Sequence, residues 1–305
     1  MNGRILTGSN NIYTVETRGG IVTCRIKGKV LREEEDSYNP LAPGDRVVID
    51  PLPDGLSGRI VSREERVNRF CRWNKKRQAP QTVAANVDAV ACVTSVQNPP
   101  FRPRFIDRVL AACEWEGIEA AILLNKSDLA PEPSTEERIA DYQSLGYRIF
   151  RCSALTGEGM DRLSEWLRGK TVVLVGQSGV GKSSVLNALD PGMDRKIGNL
   201  SKKYDRGSHT TCFSELLLTR GMGLIDTPGV REFDLFAIPS HDLPSCFREI
   251  GRAGSECRLR TCTHANEPGC RVRELAESGA IHPDRYESYL RLLDDIARSE
   301  RNLYG

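Results

Sequence analysis

The stretch "VVLVGQSGVGKSSVLNAL", residues 172–189, constrains the fold more than any other part of the chain. Residues 176–183 fit G-x-x-x-x-G-K-[ST], follow an apolar strand-like run and open a helix-like run. A strand, a glycine-rich loop and a helix in that order turn backbone N–H groups and the positive end of a helix toward a phosphate chain. Gly176, Gln177, Ser178, Gly179, Val180 and Gly181 would line this cradle. Lys182 would reach the β- and γ-phosphates as a catalytic cation, and Ser183, followed by Ser184, would place its hydroxyl on Mg²⁺.

A cradle alone does not choose between ATP and GTP. The stretch "LLNKSDLA" at 123–130 does. Asp128 would accept hydrogen bonds from guanine N1–H and the 2-amino group, a donor pair adenine lacks, so adenine would leave the carboxylate unpaired. Asn125 would tie this loop to the base and the cradle, the Lys126 stem would cover the ring, and Ser127 lies between them. Four residues of this kind could equally be a helix start. "CSAL" at 152–155 answers that, because Ser153, Ala154 and Leu155 fit the second base-contacting loop, with the Ala154 amide facing guanine O6.

"LIDTPG" at 224–229 ends another apolar run. Asp226 would hold Mg²⁺ through water and the Gly229 amide would face the γ-phosphate. In "RGSHTT" (206–211), Thr210 and Thr211 both qualify as the Mg²⁺-binding sensor of the γ-phosphate. The sequence does not choose between them, and Thr211 is carried as the magnesium ligand with Ser183 and Asp226. Where many small GTPases have a glutamine, residue 230 is valine and cannot orient water, which leaves His209 as the nearest candidate by sequence. A surface-loop histidine is the plain alternative.

The motifs run in the order "NKSD", "SAL", "GQSGVGKS", "HTT", "DTPG", whereas the usual order begins at the cradle. A cut moved to just after "DTPG" generates this order without losing an element, and close, exposed domain termini make such permutation tolerable. Around the motifs, apolar runs at 87–96, 119–125, 147–154 and 170–176 alternate with helical spacing at 105–117, 134–146, 157–169 and 182–190. That pattern predicts a mostly parallel sheet with helices on both faces. Ser134 and Glu137 are spaced as a capping box. Residues 190–211 break the rhythm and read as a flexible loop.

Residues 1–70 carry short β-like runs at 12–15, 21–26, 46–49 and 58–61, split by "RGG" and "APGD" turns, as in a small closed barrel, OB-like or SH3-like. The segment 63–77 holds seven basic and two acidic residues around Phe70 and Trp73, which suits either an RNA-touching linker or a solvated connector. After residue 230 the chain reads as loops and helices ending in an amphipathic stretch at 285–300. Cys257, Cys262, His264 and Cys270 follow C-x4-C-x-H-x5-C, a closed Cys3His set for one structural zinc; unmetallated core cysteines are the alternative. Arg248, Arg252, Arg258, Arg260, Arg271 and Arg273 surround it and suggest phosphate contacts to RNA, or a plain solvated face.

The expected organisation is multidomain: an OB-like barrel at 1–70, an α/β circularly permuted P-loop GTPase domain at 71–235, and a mainly helical and loop zinc-binding domain at 236–305. Formal net charge is only +2 in 305 residues, so bulk charge does not announce nucleic acid. There is no run of 18 apolar residues and no signal-like start, so no membrane partner and a cytoplasmic location are expected.

A barrel, then a permuted GTPase, then a Cys3His module resembles the RsgA family of bacterial ribosome small-subunit-dependent GTPases over almost the whole chain. "NKSD", "GQSGVGKSS", "HTT", "DTPGVREF" and "CTHANEPGC" carry the resemblance. It implies GTP hydrolysis to GDP stimulated by the small ribosomal subunit, a role in late maturation of that subunit, and outer domains that grip ribosomal RNA or subunit proteins. A monomer is expected. An RNA-binding module with GTP as a regulatory ligand is the second reading, and the complete Mg²⁺ set and His209 favour turnover over it.

Overall fold

The computed structural model describes residues 1–28, 39–53, 55–74, 79–193, 214–227, 233 and 238–304, with side chains to residue 300. Strands β1 (Asn2–Ser9), β2 (Ile12–Thr17), β3 (Gly20–Ile26), β4 (Arg46–Pro51) and β5 (Ser57–Arg63) close a barrel in the order β1-β2-β3-β5-β4. β3 and β5 run parallel; the other pairs are antiparallel. Ile5, Val15, Cys24, Val47, Ile49 and Ile60 fill its interior. This is the five-stranded Greek-key closure of an OB barrel.

β1 escapes the sequence pattern because Ile5 and Leu6 are its only buried positions and they are adjacent, so no alternation shows. Its glycines serve close approach instead: a Cβ on Gly8 would lie 2.3 Å from the Tyr13 ring.

Within the basic segment after β5, Arg69–Asn74 form β6, which pairs antiparallel with β7 (Ala79–Ala85) in a separate two-stranded sheet. A bulge between Phe70 and Cys71 breaks the period-two pattern and hides the strand. β6 also runs across the division expected at residue 70, and Phe70 is fully buried in the core of the central domain.

That central domain comprises β8 (Ala89–Ser95), α1 (Pro103–Trp115), β9 (Glu119–Asn125), α2 (Pro133–Ser144), β10 (Arg148–Arg151), α3 (Met160–Leu167), β11 (Thr171–Gly176), α4 (Lys182–Leu189), β12 (Glu215–Thr219) and β13 (Met222–Asp226). The sheet order is β10-β9-β8-β11-β13-β12, parallel throughout except for the β12/β13 pair. Ile106, Val109 and Leu110 of α1 and Ile139 and Tyr142 of α2 join the core on one face. Leu163 and Leu167 of α3 and Val185, Leu186 and Leu189 of α4 cover the other.

The capping box in α2 does not form. Pro133 stands at the start of the helix, Glu132 is the cap residue and no side chain bonds the end. Proline's fixed φ and missing N–H suit the first helical position, so the helix begins before Ser134 can cap it. Residues 194–211 of the irregular segment, with His209, Thr210 and Thr211, lie outside the described residues, as do Gly229 and Val230.

The C-terminal part holds α5 (Arg248–Gly254), α6 (Arg271–Glu277) and the 22-residue α7 (Pro283–Tyr304). Leu243, Phe247, Ile250, Val272, Tyr289 and Leu292 form its core, which also takes in Ala111 of α1. A buried ionic network fixes this module to the central domain. Arg285 of α7 donates to Asp107 of α1 at 2.8 Å and to Glu249 of α5 at 2.7 Å. Tyr142 donates to the same Asp107 at 2.6 Å, and Arg138 lies 3.4 Å from it. Asp107 is 0% and Arg285 1% exposed, so neither charge has water to fall back on. Burial alone would lower the Arg285 pKa, yet Asp107 and Glu249 hold it well above its ordinary value.

Arg285→Met should destabilise the protein by about 3–5 kcal/mol, because it removes the closest countercharge of the buried Asp107 carboxylate and the partner of Glu249. Urea unfolding curves would measure this, and Asp107→Asn combined with Arg285→Met should cost clearly less than the two single changes added together.

Candidate active site and metal centre

Three loops, at the C-terminal ends of the parallel strands β9, β10 and β11, meet at one side chain. Asn125, the last residue of β9, is 2% exposed. Its Nδ2 donates to the Val180 carbonyl in the cradle at 2.9 Å. Its Oδ1 accepts from the Ala154 amide at 3.1 Å. One carboxamide thus fastens the "NKSD", "SAL" and "GQSGVGKS" loops together. The adjacent Ser127 amide donates to Cys152 O at 3.0 Å, a second tie between the base-side loops. The cradle approaches so closely that a Cβ on Gly181 would lie 2.3 Å from Asn125 Nδ2, and Gly181 also has φ of +93°. Likewise a Cβ on Gly176 would lie 2.3 Å from Val93 O. Both glycines of the motif are required by contact, not only by flexibility.

Gly181 caps α4 without any side-chain bond, so the first amides of that helix have no side-chain acceptor. Ser178, Gly179, Ser183 and Ser184 are exposed along the loop and first turn. Lys182 is 7% exposed and donates to the carbonyls of Gly176 at 2.6 Å and Gln177 at 3.1 Å. Burial lowers its pKa, opposed by Asp226. Lys126 Nζ donates to Gly179 O at 3.0 Å and to Asn98 O, so its stem spans from the base loop to the cradle. Asp128 and Leu155 are exposed, Leu155 at 87%.

Asp226 ends β13 opposite Leu174 of β11, the strand that launches the cradle. Thr227 Oγ1 donates to Leu174 O at 2.8 Å and locks this exit. Burial raises the Asp226 pKa to about 6; Lys182 opposes the rise and Glu215, its cross-strand partner, adds to it. Asp226 Oδ1 is buried with no hydrogen-bond partner among the described residues. The orphaned Asp226 carboxylate oxygen, beside the buried Lys182 ammonium, and the exposed Ser183 hydroxyl at the start of α4 are hard oxygen donors of the kind Mg²⁺ takes. Those residues fit the ion that a triphosphate would bring with it. Beyond Thr227 the chain returns to the core at Phe233, 1% exposed and stacked on Phe70 with ring centroids 5.1 Å apart.

The ligand atoms of Cys257, Cys262, His264 and Cys270 lie within 4.8 Å of one another. Cys257 Sγ and Cys270 Sγ sit 3.5 and 3.6 Å from His264 Nδ1. Burial and the neighbouring thiols push the Cys262 pKa up to about 12, and burial lowers that of His264. Three sulfurs and one imidazole gathered this closely make the tetrahedral donor set that zinc takes. The four residues could hold a zinc ion.

Glu267, which the motif reading passed over, shapes the loop. Its carboxylate accepts from Thr263 N and Oγ1, Ala265 N and Asn266 N. Burial would raise its pKa, but these bonds prevail and hold it at about 2. Only its place inside the cysteine-rich loop could have signalled the role. Among the surrounding arginines, Arg248 is committed inward, bonding Glu114 at 2.8 Å and lying over the Tyr147 ring. Arg271 and Arg273 pair with acidic neighbours, whereas Arg252, Arg258 and Arg260 are exposed.

Protonation of Asp226 would compete with any Mg²⁺ held there. Its carboxylate is ionised above about pH 6 and neutral below, so Mg²⁺-dependent nucleotide binding should weaken as pH falls through 6. Titrating nucleotide affinity against pH checks this, and Asp226→Asn should flatten the profile. For the metal centre, one zinc per chain is expected by elemental analysis, and chelation should open residues 257–270 to protease while the barrel stays resistant.

Residues 63–236 match the family model for the RsgA GTPase and residues 2–58 that for the RsgA N-terminal domain. A protein of Bacteroides fragilis described as small ribosomal subunit biogenesis GTPase RsgA is 38% identical over 302 residues, covering 97% of each chain. The crystal structure of YjeQ from Thermotoga maritima superposes with a TM-score of 0.74 at 30% identity, covering 97% of this chain and 98% of that one. YloQ, described as a circularly permuted GTPase, gives 0.70 at 28%, covering 98% and 95%. No helix of the described residues is long and apolar enough to cross a membrane. With the permuted motif order built into one sheet and both family models matched in succession, the chain belongs to the RsgA GTPase family.

Proposed function

We propose that this protein hydrolyses GTP to GDP and phosphate as a biogenesis factor of the small ribosomal subunit, acting late in maturation, with the subunit stimulating its turnover. The observation that carries the reading is the Asn125 carboxamide, which couples a guanine-type base loop to a phosphate cradle at 2.9 Å. Relatives described as small ribosomal subunit biogenesis GTPases support the process. GTP contacts are assigned to residues 125–128, 153–155 and 176–184, Asp226, and the sequence positions Thr210, Thr211 and Gly229. Mg²⁺ would sit between Ser183, Asp226 and one of the two threonines.

The barrel and the zinc module are assigned to ribosomal RNA, supported by the exposed Arg252, Arg258 and Arg260 beside the cluster. The protein acts as a monomer in the cytoplasm, its barrel, GTPase and zinc-binding units acting together. Phosphoryl transfer asks the protein chiefly to position water and stabilise charge. Residue 230 is valine, so we assign the water to His209, which must be held by contacts made on the subunit.

Phosphate release should be slow with protein alone and rise at least about tenfold, some 1.4 kcal/mol of barrier, when small subunits are added. His209→Ala should bind GTP and subunits like the parent and lose that rise. A mutant stimulated as strongly as the parent would remove His209 from the mechanism. Equal affinity for ATP and GTP would remove the guanine reading.

A further inference from the structure

The loop after β8, residues 96–101, belongs to none of the nucleotide motifs, yet it lies along the base loop. The Val96 amide donates to Asn125 O at 3.1 Å, at the start of "NKSDLA". Gln97 Nε2 donates to Ala130 O at 2.7 Å, at its end. Between these pins, Lys126 Nζ donates to Asn98 O as well as to the cradle at Gly179 O. Ser95 Oγ donates to Pro99 O at 2.9 Å and ties the loop to its own strand. Pro99 Cδ in turn lies 3.5 Å from where a Cβ on Gly179 would stand. The loop therefore braces the base reader at both ends and lies beside the cradle.

Asp128 is exposed, so burial does not fix its carboxylate, and its position follows from where its backbone is held. On the near side the Ser127 amide is held by Cys152 O at 3.0 Å, and Leu129 N closes a turn on Lys126 O at 3.0 Å. On the far side Gln97 supplies the side-chain pin. We infer that Gln97 is a positioning residue for guanine recognition: by holding Ala130 O it sets Asp128 where a carboxylate meets both N1–H and the 2-amino group of the base. This rests on the GTPase reading and names a residue that reading did not contain. Gln97 touches no nucleotide itself and acts through the base loop.

The test compares nucleotide affinities of the full-length protein by calorimetry with GDP, IDP and ADP. Hypoxanthine keeps N1–H and lacks the 2-amino group, so the GDP-to-IDP ratio reports whether Asp128 is set for both bonds. Gln97→Glu keeps the shape and removes the donor. It should weaken GDP about fivefold, the size of one hydrogen bond, and shrink the GDP-to-IDP ratio. Gln97→Ala should do the same, and Gln97→Lys, which restores a donor, should recover the ratio. Turnover at saturating GTP should be unchanged in all three, since only base binding is altered. An unchanged GDP-to-IDP ratio in both Gln97→Glu and Gln97→Ala overturns the inference, as does a loss that Gln97→Lys leaves uncorrected. A parent protein that binds ADP as well as GDP overturns the GTPase reading itself, which the Gln97 variants alone would not do.

Discussion

One buried carboxamide organises the nucleotide site. Asn125 satisfies both ends of its side chain, on Val180 O and the Ala154 amide, and so holds three loops from three strands in one arrangement. A buried polar group left unmade costs about 1–3 kcal/mol, so each loop is held in place by the others. The dependence is reciprocal. The cradle can come this near only because residue 181 is glycine, and the base loop reaches it because β9 ends at Asn125, one strand removed from β11 in the same parallel sheet.

Permutation leaves that junction intact because the junction is spatial. What it changes is the end of the domain. The segment that faces the γ-phosphate in the usual order lies mid-domain, flanked on both sides by strands and helices. Here it is the last stretch, and Phe233 returns the chain to the core on the far side of it, stacked against Phe70 of the hairpin. Leu6 of the barrel belongs to the same core cluster. Barrel, hairpin and the exit from β13 therefore share one apolar body. Arg4 adds a polar tie, donating to Thr171 Oγ1 at 2.7 Å at the start of β11.

The sequence was most legible where chemistry is local. A phosphate cradle, a base-reading tetrapeptide and a Cys3His set each declare themselves within about fifteen residues, because a ligand fixes the spacing. The parallel sheet followed from alternating periods. Less was legible where a three-dimensional approach decides. β1 gave no strand signal because its two buried residues, Ile5 and Leu6, are adjacent, and the hairpin read as a basic linker because a bulge scrambles its period. Glu267 was invisible because its partners are backbone amides, which every sequence has. Arg285 read as one more charge on an amphipathic helix, yet it is 1% exposed. Nothing in a helical pattern says which charged residue will be paired across a domain seam.

That seam bears on how the protein comes into being. Asp107 is made on the first helix of the central sheet, and its closest countercharge arrives with α7, 178 residues later in the chain. Until then the nascent central domain carries a carboxylate without its Arg285 partner, and α1 lacks the C-terminal core against which Ala111 packs. The domain that reads nucleotide is thus completed by residues made only after all of its own motifs. A chain cut short before α7 would keep every nucleotide motif in its sequence and still lack part of the fold that aligns them, so arrested or proteolysed products should enter quality control and not circulate as partial GTPases.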